Sequence, residues 1–136
     1  MDRRSFLTLT AASLALPFSA RAAALSYTPG MVQERLAKGE TLFLDFTASW
    51  CSTCRSQART IQALKSDNPA YEQGVTFIDI DWDTYGKSDL AKSLKIPRRS
   101  TLVVLKGDQE LGRIVAQTGT SDIKALMDTA LAAATS

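Results

Sequence analysis

Two cysteines separated by two residues limit the possible architectures of this chain more than any other feature. Cys51 and Cys54 are the only cysteines among the 136 residues, and they follow an almost continuous apolar run, 41–46. Such a run is typical of a strand buried on both faces, whereas the apolar positions of 54–65 have helical spacing. We therefore expect both thiols at a junction between a buried strand and a helix.

The spacing also narrows the chemistry of the pair. A structural disulfide that closes so short a loop stabilises a fold by only about 2 kcal/mol, against about 4.7 kcal/mol for a loop of roughly 100 residues. A metal site is disfavoured because the chain has no histidine and two cysteines supply half of a tetrahedral ligand set. The pattern thus predicts thiol–disulfide exchange, without a metal or another cofactor.

The two sulfurs are expected to have different roles. If the helix begins at or just before Cys51, that sulfur lies over unpaired backbone N–H groups and the positive end of the helix dipole, which stabilise a thiolate. Cys54 faces the same side but lies one turn deeper. We predict that Cys51 is the exposed attacking thiol and that Cys54 is the buried thiol that resolves the mixed disulfide.

A lone acid, Asp45, lies in the apolar run ahead of the cysteines. An ionised carboxylate in an apolar layer is costly, so a position on a central strand would raise the pKa of Asp45 and allow it to take and return a proton. The alternative is an aspartate at a strand end that reaches solvent.

The first 22 residues are predicted to be an export signal that is not part of the fold. Arg3-Arg4 followed by Phe6-Leu7 resembles the twin-arginine signal. The apolar stretch after it, about 14 residues, is shorter than the roughly 20 that span a bilayer. A retained amphipathic anchor is the alternative.

Small residues at 20–24 predict cleavage after Ala22 or Ala24, leaving a mature domain over 25–136. Removing 1–22 removes three arginines and one aspartate, so the formal charge falls from +2 to zero. A neutral domain gives no indication of nucleic acid or a membrane surface as partner. We expect a periplasmic protein, without stable membrane insertion after cleavage, in a compartment where disulfide chemistry is permitted.

Hydrophobic periodicity predicts one α/β domain. A short helix is expected to start at Thr28-Pro29 and end at Gly39, and a last helix to be capped by Ser121. The remaining patterns predict strands over 41–46, 75–82, 101–105 and 110–115, helices over 54–65 and 88–94, and a hairpin turn over 106–109.

The order of these elements, with Trp50-Cys51-Ser52-Thr53-Cys54 between a strand and a helix, resembles the thioredoxin family over about 28–133. The resemblance implies a central mixed sheet of about four strands flanked by helices. It also implies that Asp45, at the place of the family's buried acid, serves Cys54 when that thiol must become a thiolate. Trp50, beside Cys51, is expected to shape the substrate surface.

One loop departs from the family pattern, in which a cis proline precedes the strand that faces the cysteines and its neighbouring backbone pairs with substrate. Either Pro97 is this proline and the loop is longer, or Ser100 stands in its place. Both residues are candidates for substrate binding. Arg98 and Arg99 either turn toward Cys51 and stabilise its thiolate or are solvated on an exposed loop.

We therefore predict a periplasmic thiol/disulfide oxidoreductase that exchanges disulfides with protein substrates. Reduction is slightly favoured because the Ser52-Thr53 pair carries no charge and Asp45 supports proton return. A reductase in that compartment implies a membrane electron donor or acceptor as partner. The alternatives are a noncatalytic binding module for a metallochaperone or cytochrome precursor, and a dimer bridged by a metal or cluster.

Overall fold

The computed structural model describes residues 24–136, so the predicted signal over 1–22 lies outside the described residues. Five strands form one mixed sheet in the spatial order β1-β3-β2-β4-β5. Pairing is parallel from β1 to β3 and from β3 to β2, and antiparallel from β2 to β4 and from β4 to β5. The strands are β1 (Leu25–Ser26), β2 (Thr41–Thr47), β3 (Thr76–Asp81), β4 (Thr101–Lys106) and β5 (Gln109–Val115).

Within residues 24–136, six helices accompany the sheet, and the predicted α/β architecture is confirmed. They are α1 (Met31–Ala37), α2 (Ser52–Asp67), α3 (Ala70–Gly74), α4 (Trp82–Tyr85), α5 (Asp89–Ser93) and α6 (Thr120–Ala134). The sequence patterns missed β1, α3 and α4, which have two to five residues and show no clear period, although the equally short α5 was predicted. The sheet accordingly has one strand more than expected.

Two predicted helix starts are wrong. The first helix begins at Met31 after Gly30, whose φ is 88°, and not at Thr28. The last helix begins at Thr120 with Gly119 as its N-cap, so Ser121 lies inside its first turn. In both cases a glycine directs the chain into the helix, and no side chain caps the helix by a hydrogen bond.

Helices bury both faces of the sheet, and β2 at its centre contributes to both. Leu42, Leu44 and Phe46 are fully buried on the face covered by α1 and α5. Phe43 belongs to the opposite face, where α2, α3 and α6 pack. Each such side chain contributes about 1.5–3 kcal/mol by leaving water.

The strict alternation along β2 also decides where Asp45 lies. Asp45 follows Phe43 by two residues and therefore shares its face, beneath α2. Beyond the end of β2, residues 48–51 lead directly into α2. The predicted junction of a buried strand and a cysteine-bearing helix is thus confirmed.

Candidate active site

Cys51 is the N-cap residue of α2. Its backbone is extended, with φ −91° and ψ 111°, and its Sγ accepts a hydrogen bond from the Cys54 N–H at 3.1 Å. This N–H belongs to the first turn, where backbone donors have no partner within the helix. A sulfur therefore takes the place that a serine or aspartate oxygen occupies at most helix starts, and the helix favours negative charge on it.

Ser100 lies between the two thiols. Its Oγ is 3.2 Å from Cys51 Sγ and 3.1 Å from Cys54 Sγ, and the residue is fully buried. The hydroxyl has one proton, so it can donate to only one sulfur at a time. It is placed to donate to whichever sulfur is ionised.

The hydrogen bonds around Cys51 lower its pKa. Burial by itself would raise the pKa, but the Cys54 thiol, the Ser100 hydroxyl, the Cys54 N–H and the Arg99 side chain all donate to the sulfur and bring the pKa to about 7. Close to half of the Cys51 thiols are therefore ionised at neutral pH, compared with roughly 3% for a free cysteine of pKa ~8.5. The thiolate predicted at the helix start is consistent with this geometry.

The expectation of an exposed Cys51 is wrong in degree. Cys51 exposes 3% of its surface and Cys54 1%, and both are free thiols. Ala48 and Trp82 pack against the pair, and Ser100 covers it from the β4 side. Tertiary contacts of this kind leave no trace in the spacing of the cysteines.

The structure decides between the two alternatives for the loop before β4 in favour of Ser100. Pro97 is exposed, and residues 24–136 contain no cis peptide bond, so the alternative of a cis Pro97 in a longer loop is wrong. Ser100 precedes β4 and contacts both sulfurs, whereas no described contact joins Pro97 to them. The sequence left open whether the loop before β4 is longer than in the family pattern. In the structure, Ser100 stands directly before β4, at the place of the family's proline.

Ser100 has a left-handed backbone, with φ 64°. This conformation is unfavourable for residues other than glycine and persists when the surroundings over-determine it. Here the Ser100 N–H donates to Phe46 O at 2.7 Å, and the Ser100 carbonyl accepts from Ala116 N at 2.9 Å and from Gln57 Nε2 at 3.1 Å. Gln57, a buried residue of α2 that sequence reasoning missed, also donates to Gln117 O at 2.9 Å.

Trp50 presents an exposed indole beside Cys51. It exposes 55% of its surface, and its Nε1 donates to both carboxylate oxygens of Asp83 at 3.0 Å. The guanidinium carbon of Arg99 lies 4.5 Å from the centre of the Trp50 rings, a cation–π arrangement. Of the two arginines considered, Arg99 thus turns toward the site, whereas Arg98 donates from Nε to the Arg99 carbonyl.

Asp45 is buried, as the run of apolar residues around it predicts, and it does not reach solvent at a strand end. Burial raises its pKa to about 8, with further increases from the charges of Asp79 and Cys51, while Lys65 opposes the shift. Its Oδ1 has no hydrogen-bond partner among the described protein atoms. The predicted raised pKa is confirmed, and the carboxyl is mostly protonated at neutral pH.

Two further charged residues lie next to Asp45, and sequence reasoning did not associate them with the site. Asp79 is its register partner on β3, and Lys65 is a buried residue of α2. Lys65 follows Ile61 by four residues, so helical spacing alone placed it on the buried face. That signal was available, but a lysine at such a position is usually assumed to extend toward water.

Within residues 24–136, no group of three or more His, Cys, Asp or Glu side chains could hold a metal ion. The two thiols of one chain contact a hydroxyl and a backbone N–H. The described helices also include none long and apolar enough to cross a bilayer.

Comparisons with known proteins agree on one family. The model of the family described as thioredoxin matches residues 24–129. A thioredoxin of Echinococcus granulosus is 31% identical over 94 residues, which are 68% of this chain and 82% of that protein. An H-type thioredoxin of Fagopyrum esculentum is 34% identical over 83 residues, 61% of this chain and 66% of that protein.

Solved structures show the same fold. The structure of Trxlp from Edwardsiella tarda superimposes with a TM-score of 0.65 at 23% identity, covering 76% of this chain and 98% of that one. Mitochondrial thioredoxin 3 from Saccharomyces cerevisiae superimposes with a TM-score of 0.61 at 25% identity, covering 77% of this chain and 94% of that one.

Proposed function

This chain belongs to the thioredoxin family, and from that premise we propose that it is a periplasmic thiol/disulfide oxidoreductase that reduces disulfides of protein substrates. Both the family and the geometry of the site support disulfide exchange through the Cys51–Cys54 pair. The observation that carries the proposal is the Cys51 sulfur at the start of α2, whose hydrogen-bond donors lower its pKa to about 7.

The reaction proceeds in two exchanges. The Cys51 thiolate attacks one sulfur of the substrate disulfide, the substrate S–S bond breaks, and the leaving thiolate takes a proton from water. Cys54 then loses its proton and attacks Cys51 Sγ, which breaks the mixed disulfide and releases the second substrate thiolate. Two electrons pass to the substrate, and the protein is left with a Cys51–Cys54 disulfide.

Asp45 acts in the second exchange as the base for Cys54. The negative charge of the Cys51 thiolate is one of the causes that raise the pKa of Asp45. This charge disappears when Cys51 becomes part of the mixed disulfide, so the pKa of Asp45 falls at the step where a carboxylate is needed. Replacing Asp45 by Asn should slow resolution of the mixed disulfide while Cys51 stays reactive. Equal resolution rates in the two proteins would contradict this role.

Reduction is favoured over oxidation for two reasons. The Ser52-Thr53 pair adds no charge near Cys51, and an available base speeds release of a reduced substrate. The oxidised protein then needs a supply of electrons, and in the periplasm we propose a membrane donor. The equilibrium potential of the Cys51–Cys54 couple, measured against glutathione, tests the direction: a potential near that of strong oxidants would reverse it.

The proposed location rests on the sequence pattern of 1–22, which resembles a twin-arginine signal. Cleavage after Ala22 would retain Ala24, which packs against the core, and Leu25–Ser26, which form β1. N-terminal sequencing of the protein from a periplasmic extract tests both the location and the cleavage site.

The test of the activity is insulin reduction with dithiothreitol as electron source. The mature protein should accelerate precipitation of the insulin B chain, and a Cys51→Ser variant should not. The noncatalytic binding module, for instance for a metallochaperone or cytochrome precursor, predicts no acceleration by either protein. A metal- or cluster-bridged dimer predicts bound metal and a doubled mass in solution, which elemental analysis and light scattering would detect.

A further inference from the structure

A small cavity lies beneath α2, next to Asp45. Its volume is about 20 Å³, which is room for one water molecule. Three of its lining residues carry ionisable groups, and the others are apolar: Asp45, Lys65 and Asp79, with Ala24, Phe43, Ile61 and Phe77. A polar site of this size needs two to four polar partners to hold a water, and these three groups supply them.

The sheet places the two carboxyls side by side. Asp45 on β2 and Asp79 on β3 are direct partners in a parallel register, so both side chains stand on the same face of the sheet. Neighbouring strands are ~4.8 Å apart. Two carboxyls at that distance in a partly dry environment interact strongly, and the like charge of Asp79 is one of the causes that raise the pKa of Asp45.

Lys65 approaches the same cavity from α2. Its Nζ lies 3.9 Å from the centre of the Phe77 ring and 4.0 Å from Glu72 Oε1 of α3, and the residue is buried. Glu72 is partly exposed, so water solvates its charge on the outer side. Cys51 at the start of α2 also acts on the cluster, because its charge raises the pKa of Asp45.

The charges around the cavity balance when one proton is present. Two carboxylates and one ammonium leave one excess negative charge in an environment where unpaired charge is costly. A single proton on the carboxyl pair removes that excess while Lys65 stays charged. Burial raises the pKa of Asp45, and partial desolvation raises that of Asp79, so the pair favours holding this one proton.

The two carboxyls differ in their access to solvent. Asp45 exposes only 7% of its surface, whereas Asp79 is exposed and also lines an open cleft of about 410 Å³. The cleft is bordered by Ser26, Tyr27, Thr47, Ser49, Asp81 and Tyr85. Asp79 therefore lines both the small cavity and the open cleft.

We propose that Asp79 is the second carboxyl of the proton pathway: it shares one proton with Asp45 across the cavity and releases it to the open cleft, while Lys65 holds the pair at one proton. The proposal rests on the proposed function, because it concerns the proton that Cys54 gives up. Asp79 and Lys65 act through Asp45 and are positioning residues.

The proton transfers balance in each turnover. The Cys54 thiol gives its proton to the Asp45 carboxylate, and the resulting thiolate forms the S–S bond to Cys51 as substrate thiolate leaves. The shared proton lies on Asp79 at this point, so Asp79 first loses it to water in the cleft, and Asp45 then passes the proton from Cys54 through the cavity to the resulting Asp79 carboxylate. Both carboxyls return to their starting state, and no further reactant is consumed.

The first test is a titration of Asp45 in the reduced protein, followed by the ¹³C shift of its labelled carboxyl. Asp79→Asn removes the like charge and should lower the midpoint by about one pH unit, whereas Lys65→Met keeps the apolar stem, removes the ammonium and should raise the midpoint by a similar amount. Asp108→Asn, in the exposed turn between β4 and β5, is the matched control and should leave the midpoint unchanged. Unchanged midpoints, or shifts of both variants in one direction, overturn the proposal; if Lys65→Met does not fold, Asp79→Asn decides alone.

The second test addresses release into the cleft. In Asp79→Asn, resolution of a mixed disulfide on Cys51 should slow at least about threefold at a pH above the Asp45 midpoint, and concentrated imidazole should restore the rate by accepting the proton. A slow variant that imidazole does not restore has lost packing and contradicts the relay, as does an unchanged rate. Insulin reduction by the unsubstituted protein distinguishes failure of the proposed function from failure of the role of Asp79. No insulin reduction rejects the proposed function. Unshifted midpoints in an active protein reject only the role of Asp79.

Discussion

Ser100 is the residue whose hydroxyl contacts both sulfurs of the site. The Ser100 Oγ lies within 3.2 Å of each sulfur and gives both a hydrogen-bond partner. The proline of the family pattern has no side-chain donor or acceptor that could do this. The left-handed φ of 64° costs of order 1–3 kcal/mol, and three backbone and side-chain hydrogen bonds hold it. These hydrogen bonds hold Ser100 in the conformation that places its hydroxyl between the two sulfurs.

Replacing Ser100 by Ala should raise the pKa of Cys51 above its value of about 7, because the hydroxyl is one of the donors that lower it. A hydrogen bond to a charged group contributes about 1.5–3 kcal/mol, which corresponds to a rise of about one pH unit or more. The rate of alkylation by iodoacetamide as a function of pH measures this value. Ser52→Ala, at an exposed position with no described hydrogen bond to either sulfur, is the control, and equal midpoints in Ser100→Ala and the unsubstituted protein would contradict the assignment.

At the scale of elements, α2 organises the whole site from one face. The helix begins at the Cys51 cap, and its buried face carries Cys54, Gln57, Ile61 and Lys65 at helical spacing. Three of these are polar or reactive, so a face that should be apolar by pattern carries a thiol, an amide and an ammonium group. Cys54 contacts the Ser100 hydroxyl, and Gln57 donates to carbonyls in the loops before β4 and α6. Lys65 lies near Glu72 and the carboxyl pair.

The amide of Gln57 joins α2 to two loops, and its loss should weaken both. Gln57→Leu conserves volume but removes the donors to the carbonyls of Ser100 and Gln117, so the free energy of unfolding should fall by about 1–3 kcal/mol. Urea denaturation measures the change. Gln33→Leu, at an exposed position on α1, is the control. A Gln57→Leu protein as stable as the original would show that the two hydrogen bonds contribute nothing net.

At the scale of the whole molecule, the fold buries a carboxyl group where its ionised form is unfavourable. Asp45 lies on the central strand between two covered faces, and its folded-state pKa of about 8 stands far above the 3.8 of an unperturbed aspartate. A raised carboxyl pKa means that the folded protein prefers the protonated form. The contribution of this group to stability is therefore fully present below about pH 4 and is lost as the pH rises toward 8.

Asp45→Asn removes this loss and should make the protein more stable. The gain should grow between about pH 4 and pH 8 and reach several kcal/mol, at most about 4, at pH 7. Urea denaturation of both proteins across this pH range measures it, with Asp108→Asn as a control at an exposed site. A constant difference between Asp45→Asn and the original at all pH values would contradict the burial of an ionisable group.

Much of the fold and of the reactive pair could be predicted from the sequence because the relevant signals are local. The apolar run of β2, the helical period of α2 and the spacing of Cys51 and Cys54 are short-range patterns, and together they define a buried strand, a helix and a thiol at the helix start. Asp45 could be singled out because a carboxyl inside such a run is costly to bury, whereas its role toward Cys54 was implied by the resemblance to the thioredoxin family.

The rest was decided by contacts between residues distant in the chain. Ser100 meets Cys51 across 49 positions, and Gln57 meets Gln117 across 60. The pairing of Asp79 with Asp45 depends on the register of two parallel strands, and a shift of one residue would have placed Asp79 on the other face. Local sequence thus determined which groups are reactive, whereas strand register and loop path, which no local pattern encodes, decided which groups surround them and where their protons can go.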